Sequence, residues 1–342
     1  MSIRGFLKKL FGVEVQSTKP PASELIRTRS PGRKNRPRNA RYETEILSVD
    51  SLRFVGQAAR SPNKQWVVGW TDRLPAANPR AGSKDGSLVL IDYPDDQIVL
   101  HLKSFYRPME AAVADNGTFL FNDANFGDRL SADVRAFDVG GQQIFQRMFA
   151  ANAYNLAISR CGRYGVVQTA NARGEDGNLL ELYDLRVGAT LFSRGPETGW
   201  ADGYVFTVHD SGELARLTVV HSDGGRFKYS PSGDFLDKDV YRKARLDGGS
   251  AESRIRGAKE ALTADPANPA VAAQVLASLE AALNGLGGEQ RDHLASGLRT
   301  KGEALEVLGR QVEAIAAYEQ AVAIDPKVGV AKRLGALKKT FG

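Results

Sequence analysis

Three stretches of this chain repeat one pattern at one spacing. SLVLIDYPDDQIVLHL, DVRAFDVGGQQIFQRM and LLELYDLRVGATLFSR carry Asp92, Asp138 and Asp184, each 46 residues from the next. An aromatic or aliphatic residue precedes each Asp: Ile91, Phe137 and Tyr183. Six residues after each Asp stands Ile98, Ile144 or Thr190, opening a second apolar run. Each stretch therefore reads as strand, polar turn, strand. A period of this length means stacked copies of one supersecondary unit.

The repeat has a second half. Turns rich in polar residues, SPNKQW (61–66), ADNGTF (114–119) and SRCGRY (159–164), each lead into a short β-prone run. Four strands per unit follow, as a propeller blade requires. One period beyond Asp184 lies Ser230 in GRFKYSPSGDFL, where Tyr229 keeps the aromatic column and Leu236 the apolar one. We read a fourth, degraded unit there, opened by HDSGELARLTVV (209–220); the alternative is a coincidental hairpin. The pairs Ile91-Asp92, Phe137-Asp138 and Tyr183-Asp184 stand where WD repeats have Trp-Asp. Residues 44–245 thus resemble WD-repeat-like and YVTN-like β-propellers. The Gly-His pair of the WD family is missing from every unit. The resemblance implies a platform of about four blades that binds protein partners. Either the ring closes with four, or a second chain completes it and makes an oligomer. The stretch TEILSVDSLRF (44–54) is a candidate closing strand for the last blade.

From about Ala251 the chain becomes rich in Ala, Leu and Glu with helical periodicity. KGEALEVLGRQVEAIAAYEQAVAIDPK (301–327) resembles a tetratricopeptide repeat. Gly302 matches the small residue where the two helices touch, and Gly309 the turn between them. Ala314, Tyr318 and Ala321 match packing positions of the second helix, and Asp325-Pro326 the end of the unit. Leu298, Lys301 and Leu305 depart from the family's commonest residues. A second repeat end is legible at Ala261 and Asp265-Pro266. Pro266 and Pro326 are 60 residues apart, short of two ~34-residue repeats. Helices at about 268–284 and 289–308 fill the gap, so one helix is missing, fused or irregular. Residues 328–342 fit a capping helix. The resemblance implies an α-helical array with a groove for a peptide or helix; the competing reading has the array simply packing on the propeller.

Charge separates the N-terminus from the rest. Residues 1–42 hold eleven basic and two acidic residues, a net +9, which leaves −3 for the remaining 300. In MSIRGFLKKLFG, Ile3, Phe6, Leu7, Leu10 and Phe11 share a helical face, with Lys8 and Lys9 opposite. That is the pattern of an interfacial amphipathic helix (residues 1–14). A basic linker (15–42) follows, with Arg27, Arg29, Arg33, Lys34, Arg36, Arg38 and Arg41 among Pro, Gly and Asn. Its composition predicts disorder. Apolar wedge and polybasic stretch together suit an anionic membrane surface, here the inner face of a membrane in a cytoplasmic protein. Two other readings stay open. The helix can dock on a protein, and the Arg cluster can bind nucleic acid, although no aromatic residues interleave it to stack bases.

Hydrophobic content of 42% and charged content of 25% are those of a folded chain. The lone Cys161 excludes an intramolecular disulfide. His101, His209, His221 and His293 lack metal-ligand spacing, and no phosphate loop or nucleophile elbow occurs. NDANFGD (122–128) offers Asp123, Asn125 and Asp128 to a hard cation but reads better as a solvated loop. We expect no catalytic residues, metal or cofactor. The expected order is a β-propeller-like domain at 43–246 and a tetratricopeptide-like domain at 250–342. The expected function is a non-enzymatic adaptor; the alternatives are a hydrolase or lyase working in a propeller funnel, or a nucleic-acid-associated factor.

Overall fold

A computed structural model describes residues 38–72, 84–124, 130–222, 225–286 and 290–341. The amphipathic segment 3–11 and the basic residues from 27 to 36 lie outside the described residues. The chain divides into two compact units, one ending at Gly195 and the other beginning at Pro196. The sequence placed the change of domain later, at 246–250, where helix replaces strand.

The first unit is a succession of antiparallel sheets in meander order. The first contains β1 (Ala40–Glu43), β2 (Ile46–Val49), β3 (Phe54–Arg60), β4 (Trp66–Thr71), β5 (Gly86–Asp92) and β6 (Gln97–Phe105). The second contains β7 (Pro108–Val113), β8 (Phe119–Ala124), β9 (Ala132–Phe137) and β10 (Gln143–Phe149). The third contains β11 (Ala153–Ile158), β12 (Tyr164–Thr169), β13 (Leu180–Asp184) and β14 (Ala189–Arg194). The three hairpins read from the sequence are β5–β6, β9–β10 and β13–β14. The strand β7 lies beside β3 and β4 of the first sheet and beside β11 of the third, so the second and third sheets meet at their first strands, as blades do.

Local chemistry repeats with the strands. The turns β3–β4, β7–β8 and β11–β12 are each five residues long. The fourth residue is left-handed each time, with φ of 65° at Lys64, 84° at Gly117 and 76° at Gly162. Glycine takes that conformation without steric cost, and Lys64 does not. Each closing hairpin also carries a β-bulge beside the aromatic column, at Leu90/Ile91, Gln143/Phe145 and Leu182/Tyr183. The extra residue is Val99 in the first hairpin, Ile144 itself in the second and Leu191 in the third, and the second apolar column drifts. Ile98 is buried, Ile144 half-buried and Thr190 exposed. The first column holds: Ile91, Phe137 and Tyr183 are all buried.

Apolar side chains fill the gaps between sheets. Phe105, Phe119, Phe121 and Phe137 share one core with Leu88 and Leu100. Phe145, Phe149, Leu156 and Tyr183 share the next. Polar turns lock the same joints. Asn63 N and Nδ2 donate to Asp115 at 2.7 and 3.0 Å, and Arg160 Nε donates to Asp115 at 2.9 Å. Asn116 Nδ2 donates to the Cys161 carbonyl at 3.1 Å. The stretch at 44–54 does not close a last blade. Its strand β2 pairs with β1 and β3 inside the first sheet, because Leu47 and Val49 find their apolar partners there.

The second unit opens with β15 (Gly203–Val208), β16 (Leu214–His221) and β17 (Gly225–Tyr229). The five-residue turn recurs, with Gly212 at φ 83°. Among the described residues this sheet has three strands, and the isolated pair Tyr229–Phe235 continues it. The Asp237 carboxylate accepts from Lys228 N at 2.9 Å, and the chain enters a helix immediately afterwards. Tyr229 is buried as expected, but Leu236 is 54% exposed and belongs to no core.

Six helices follow among the described residues: α1 (Lys238–Asp247), α2 (Ala251–Ala264), α3 (Pro269–Leu283), α4 (Arg291–Val307), α5 (Gln311–Ile324) and α6 (Ala331–Phe341). Ser250 caps α2 and Asn268 caps α3 through their side-chain oxygens. Between Asp265-Pro266 and Asp325-Pro326 lie three helices, which accounts for the irregular interval. Each helix packs on the next, and α2 also touches α4. Leu276, Leu305, Ala314, Ala317 and Tyr318 share a core with Leu337 of α6. A Cβ on Gly302 would lie 2.4 Å from the Tyr318 ring, so only glycine lets α4 and α5 approach this closely.

A candidate interaction surface on two bulged inner strands

The strands β7 and β11 are the end strands of their sheets, and both carry a bulge at the same place. In β7 the register shifts between Pro108 and Glu110, leaving Met109 extra. In β11 it shifts between Ala153 and Asn155, leaving Tyr154 extra. A bulge re-aims its extra side chain. Met109 is 45% exposed and Tyr154 43% exposed, although both sit in sheets with buried cores. Val55 on β3 is 63% exposed without a bulge. Large apolar side chains thus stand in the open on the first strands of the second and third sheets and on β3, the third strand of the first.

Glu110 lies next to Met109. It reaches across to the neighbouring sheet and accepts a hydrogen bond from the Leu156 backbone. Burial raises its carboxyl to about 7, and that one bond only partly offsets the effect. The joint between these end strands therefore holds a group that titrates near neutrality. Asp123, at the end of β8, accepts from Arg107 N at 2.6 Å and Tyr106 N at 3.2 Å. Burial pushes its carboxyl up as well. Its work is to fasten the β6–β7 connection. Asn125 and Asp128 lie outside the described residues. Among the described residues no group of His, Cys, Asp and Glu has the geometry for a metal ion.

The remaining residues read from the sequence fall in structural places. Phe137 stacks on Phe119 with centroids 5.6 Å apart. Tyr183 packs on Phe145 at 4.5 Å, and its hydroxyl donates to Glu181. Glu181 also accepts from Ser193 Oγ at 2.7 Å and meets Arg147 of the second sheet at 3.3 Å. Two repeat aspartates fasten their own hairpins: Asp138 accepts from Gln142 N at 2.8 Å and Asp184 from Arg186 N at 3.1 Å, while Asp184 also meets Arg163 of the β11–β12 turn at 2.7 Å. Ala314, Tyr318 and Ala321 are buried. Pro326 is exposed and contributes to no core; it follows the end of α5. His101 is buried on β6. Arg38 and Arg41, expected in the disordered linker, are instead held by the folded body. Arg38 lies 4.2 Å over the Tyr93 ring, and Arg41 forms a two-point pair with Asp50 at 2.7 and 2.8 Å.

The sequence reading missed Met109, Glu110 and Tyr154. One signal was there. Met109 and Tyr154 are 45 residues apart, nearly the period of the repeat, so two large side chains recur in register. The bulge that exposes them has no sequence mark.

No family model matches the chain, and no curated protein matches it. Solved structures offer partial likenesses. They include the Dos1 propeller (13% identity, 52% of this chain and 44% of that one, TM-score 0.34). They also include Sqt1 of Saccharomyces cerevisiae (10%, 56% and 54%, TM-score 0.33). A gluconolactonase, XC5397 of Xanthomonas campestris, aligns at 18% identity over 53% of this chain and 60% of that one, with a TM-score of 0.32. The chain thus spans between 44% and 60% of these three structures. Likenesses this partial carry neither activity nor partners across.

Proposed function

We propose that the chain is a non-enzymatic adaptor, whose first unit is a propeller-type platform and whose α4–α5 hairpin is of the tetratricopeptide type. The observation that carries this reading is the pair of bulge-borne side chains Met109 and Tyr154 on neighbouring end strands. An end strand offers backbone hydrogen bonds, and an exposed apolar side chain beside it offers a partner an anchor. The close approach of α4 and α5 at Gly302, with Ala314 and Tyr318 buried beneath, supports the helical part. The tail at 1–37 adds a second function: an apolar wedge with a polybasic stretch that seeks an anionic membrane surface, at the inner face of a membrane. The test is affinity capture with the full chain and with Met109→Asp/Tyr154→Asp. The adaptor reading requires a defined set of proteins that the double variant loses while its melting temperature holds. Equal capture by both sinks the assignment of this surface.

A second reading has one observation in its favour. Glu110 titrates near 7, where a general acid or base works best, and it stands on a first strand, where a propeller funnel would be. A hydrolase or lyase acting there would lose turnover in Glu110→Gln.

A further inference from the structure

The first sheet has two strands more than its neighbours. The hairpin β1–β2 curls back over the sheet it belongs to, so that Ala40, Leu47 and Val49 bury against Val67, Val89, Ile91 and Ile98. It covers the face of the first sheet that the second sheet leaves free. A polar latch holds it down. Asp96, in the β5–β6 turn, accepts from Asn39 N at 2.7 Å and Ala40 N at 2.8 Å. Tyr93, in the same turn, carries Arg38 at 4.2 Å and Arg60 at 4.7 Å on its ring. Gly69 leaves room for Leu47, since a Cβ there would lie 2.6 Å from Leu47 Cδ2.

The strap is joined to β3 by a strained hinge. Asp50–Leu52 form one 3₁₀ turn, and Arg53 follows in the left-handed region at φ 50°, ψ 36°. A non-glycine residue takes that conformation only when its surroundings impose it. Relaxing Arg53 to extended backbone, with Ile46–Val49 parted from their partners at 54–57 on β3, would swing the strap away from its own sheet. The face left bare fits one thing seen in this structure: an identical strap.

We propose that the β1–β2 strap is an exchangeable element, and that the chain pairs with a second copy of itself by placing each strap on the other copy's first sheet. A strained hinge beside a self-complementary element favours this exchange. The partner is therefore this same chain, and the contact surface is the Val67, Val89, Ile91 and Ile98 face together with the β3 edge that pairs with β2. The exchange concerns the face of the first sheet and does not depend on the adaptor reading.

The test uses the full chain with Cys161→Ser and the pair Leu47→Cys/Gly69→Cys. An ideal Cβ on Gly69 lies 3.3 Å from the Leu47 Cβ, close to disulfide spacing, and the pair removes the Leu47 side chain that would clash. The reduced protein is refolded dilute and at about a hundred-fold higher concentration, oxidised with glutathione disulfide, and run on a non-reducing gel. Exchange predicts an intrachain bond in the dilute sample and a rising share of interchain bond in the concentrated one. Arg53→Val, which cannot settle at positive φ, should raise that share about ten-fold, and Arg53→Gly should lower it. If Arg53→Val does not fold, the fall in Arg53→Gly carries the test. Intrachain bonds alone at every concentration overturn the proposal. So does an equal yield of linked dimer from Val187→Cys in the Cys161→Ser background, since the exposed Val187 turn lies outside the strap.

Discussion

A carboxyl that holds its proton to about pH 7 weakens a fold only where the unfolded chain would already have released it. For Glu110 that window opens near the ordinary carboxylate pKa and closes near 7. Within it the folded state binds more protons than the unfolded one, so stability falls as pH rises. Glu110→Gln keeps an acceptor for Leu156 N and removes the titration. Urea unfolding should find parent and variant close together at pH 4.5. By pH 8 the variant should be ahead by about 2–3 kcal/mol; a constant difference across that range rejects the assignment. Gly302 offers the opposite kind of test, one of volume alone. Gly302→Ala puts a methyl into the Tyr318 ring and should lose about 1–3 kcal/mol. That glycine could be read from the sequence, because the resemblance of 301–327 to a tetratricopeptide repeat implied a crossing point there. Glu110 could not, because its pKa comes from a neighbouring sheet that no local pattern reveals.

Each hairpin is a strand pair whose inner column is large and whose outer column is interrupted. Alternation and turn residues made the hairpins legible, and the 46-residue interval made Phe137 and Tyr183 equivalents. Both are core residues: Tyr183→Ala should cost about 3–5 kcal/mol in denaturant unfolding, and a loss under about 1 kcal/mol would show the column to be dispensable. The bulges were not legible, because an extra residue in a strand changes no composition, and with them went the exposure of Met109 and Tyr154. The joint between second and third sheets has its own measure in Arg147. That guanidinium meets Asp176 at 2.8 Å and the buried Glu181 at 3.3 Å. Arg147→Ala leaves Glu181 underpaired and should cost about 1–3 kcal/mol, allowing for the partial exposure of Arg147. Arg147→Lys should recover only part, since a point charge cannot serve two carboxylates as a fork does.

At the scale of the molecule, the sequence named the order of strand and helix correctly and located the junction by composition. Contacts divide the chain elsewhere, at Gly195, because the fourth sheet continues through the ring contacts of Phe227, Phe235 and Tyr241 into α1. Calorimetry should therefore resolve two transitions, with Tyr183→Ala lowering one and Gly302→Ala the other. A single transition that both variants shift equally would show one cooperative body. The tail is tested by flotation. Phe6→Glu/Leu10→Glu should abolish binding to anionic vesicles, and neutralising Arg33, Lys34 and Arg36 should weaken it and remove most of its salt dependence. Salt-sensitive binding to RNA without flotation would move the tail to the nucleic-acid reading.

The interlocked turns also fix where this chain can grow. Five residues make each of the turns β3–β4, β7–β8, β11–β12 and β15–β16, and Asp115 ties the first three of them in series. An insertion there would displace two neighbours at once. The connections β4–β5, β8–β9 and β12–β13, at 72–85, 125–131 and 170–179, differ in length from sheet to sheet. One rim is thus closed to new sequence and the other open to it, and a peptide grafted into 170–179 should be carried without loss of fold where the same peptide at 159–163 is not.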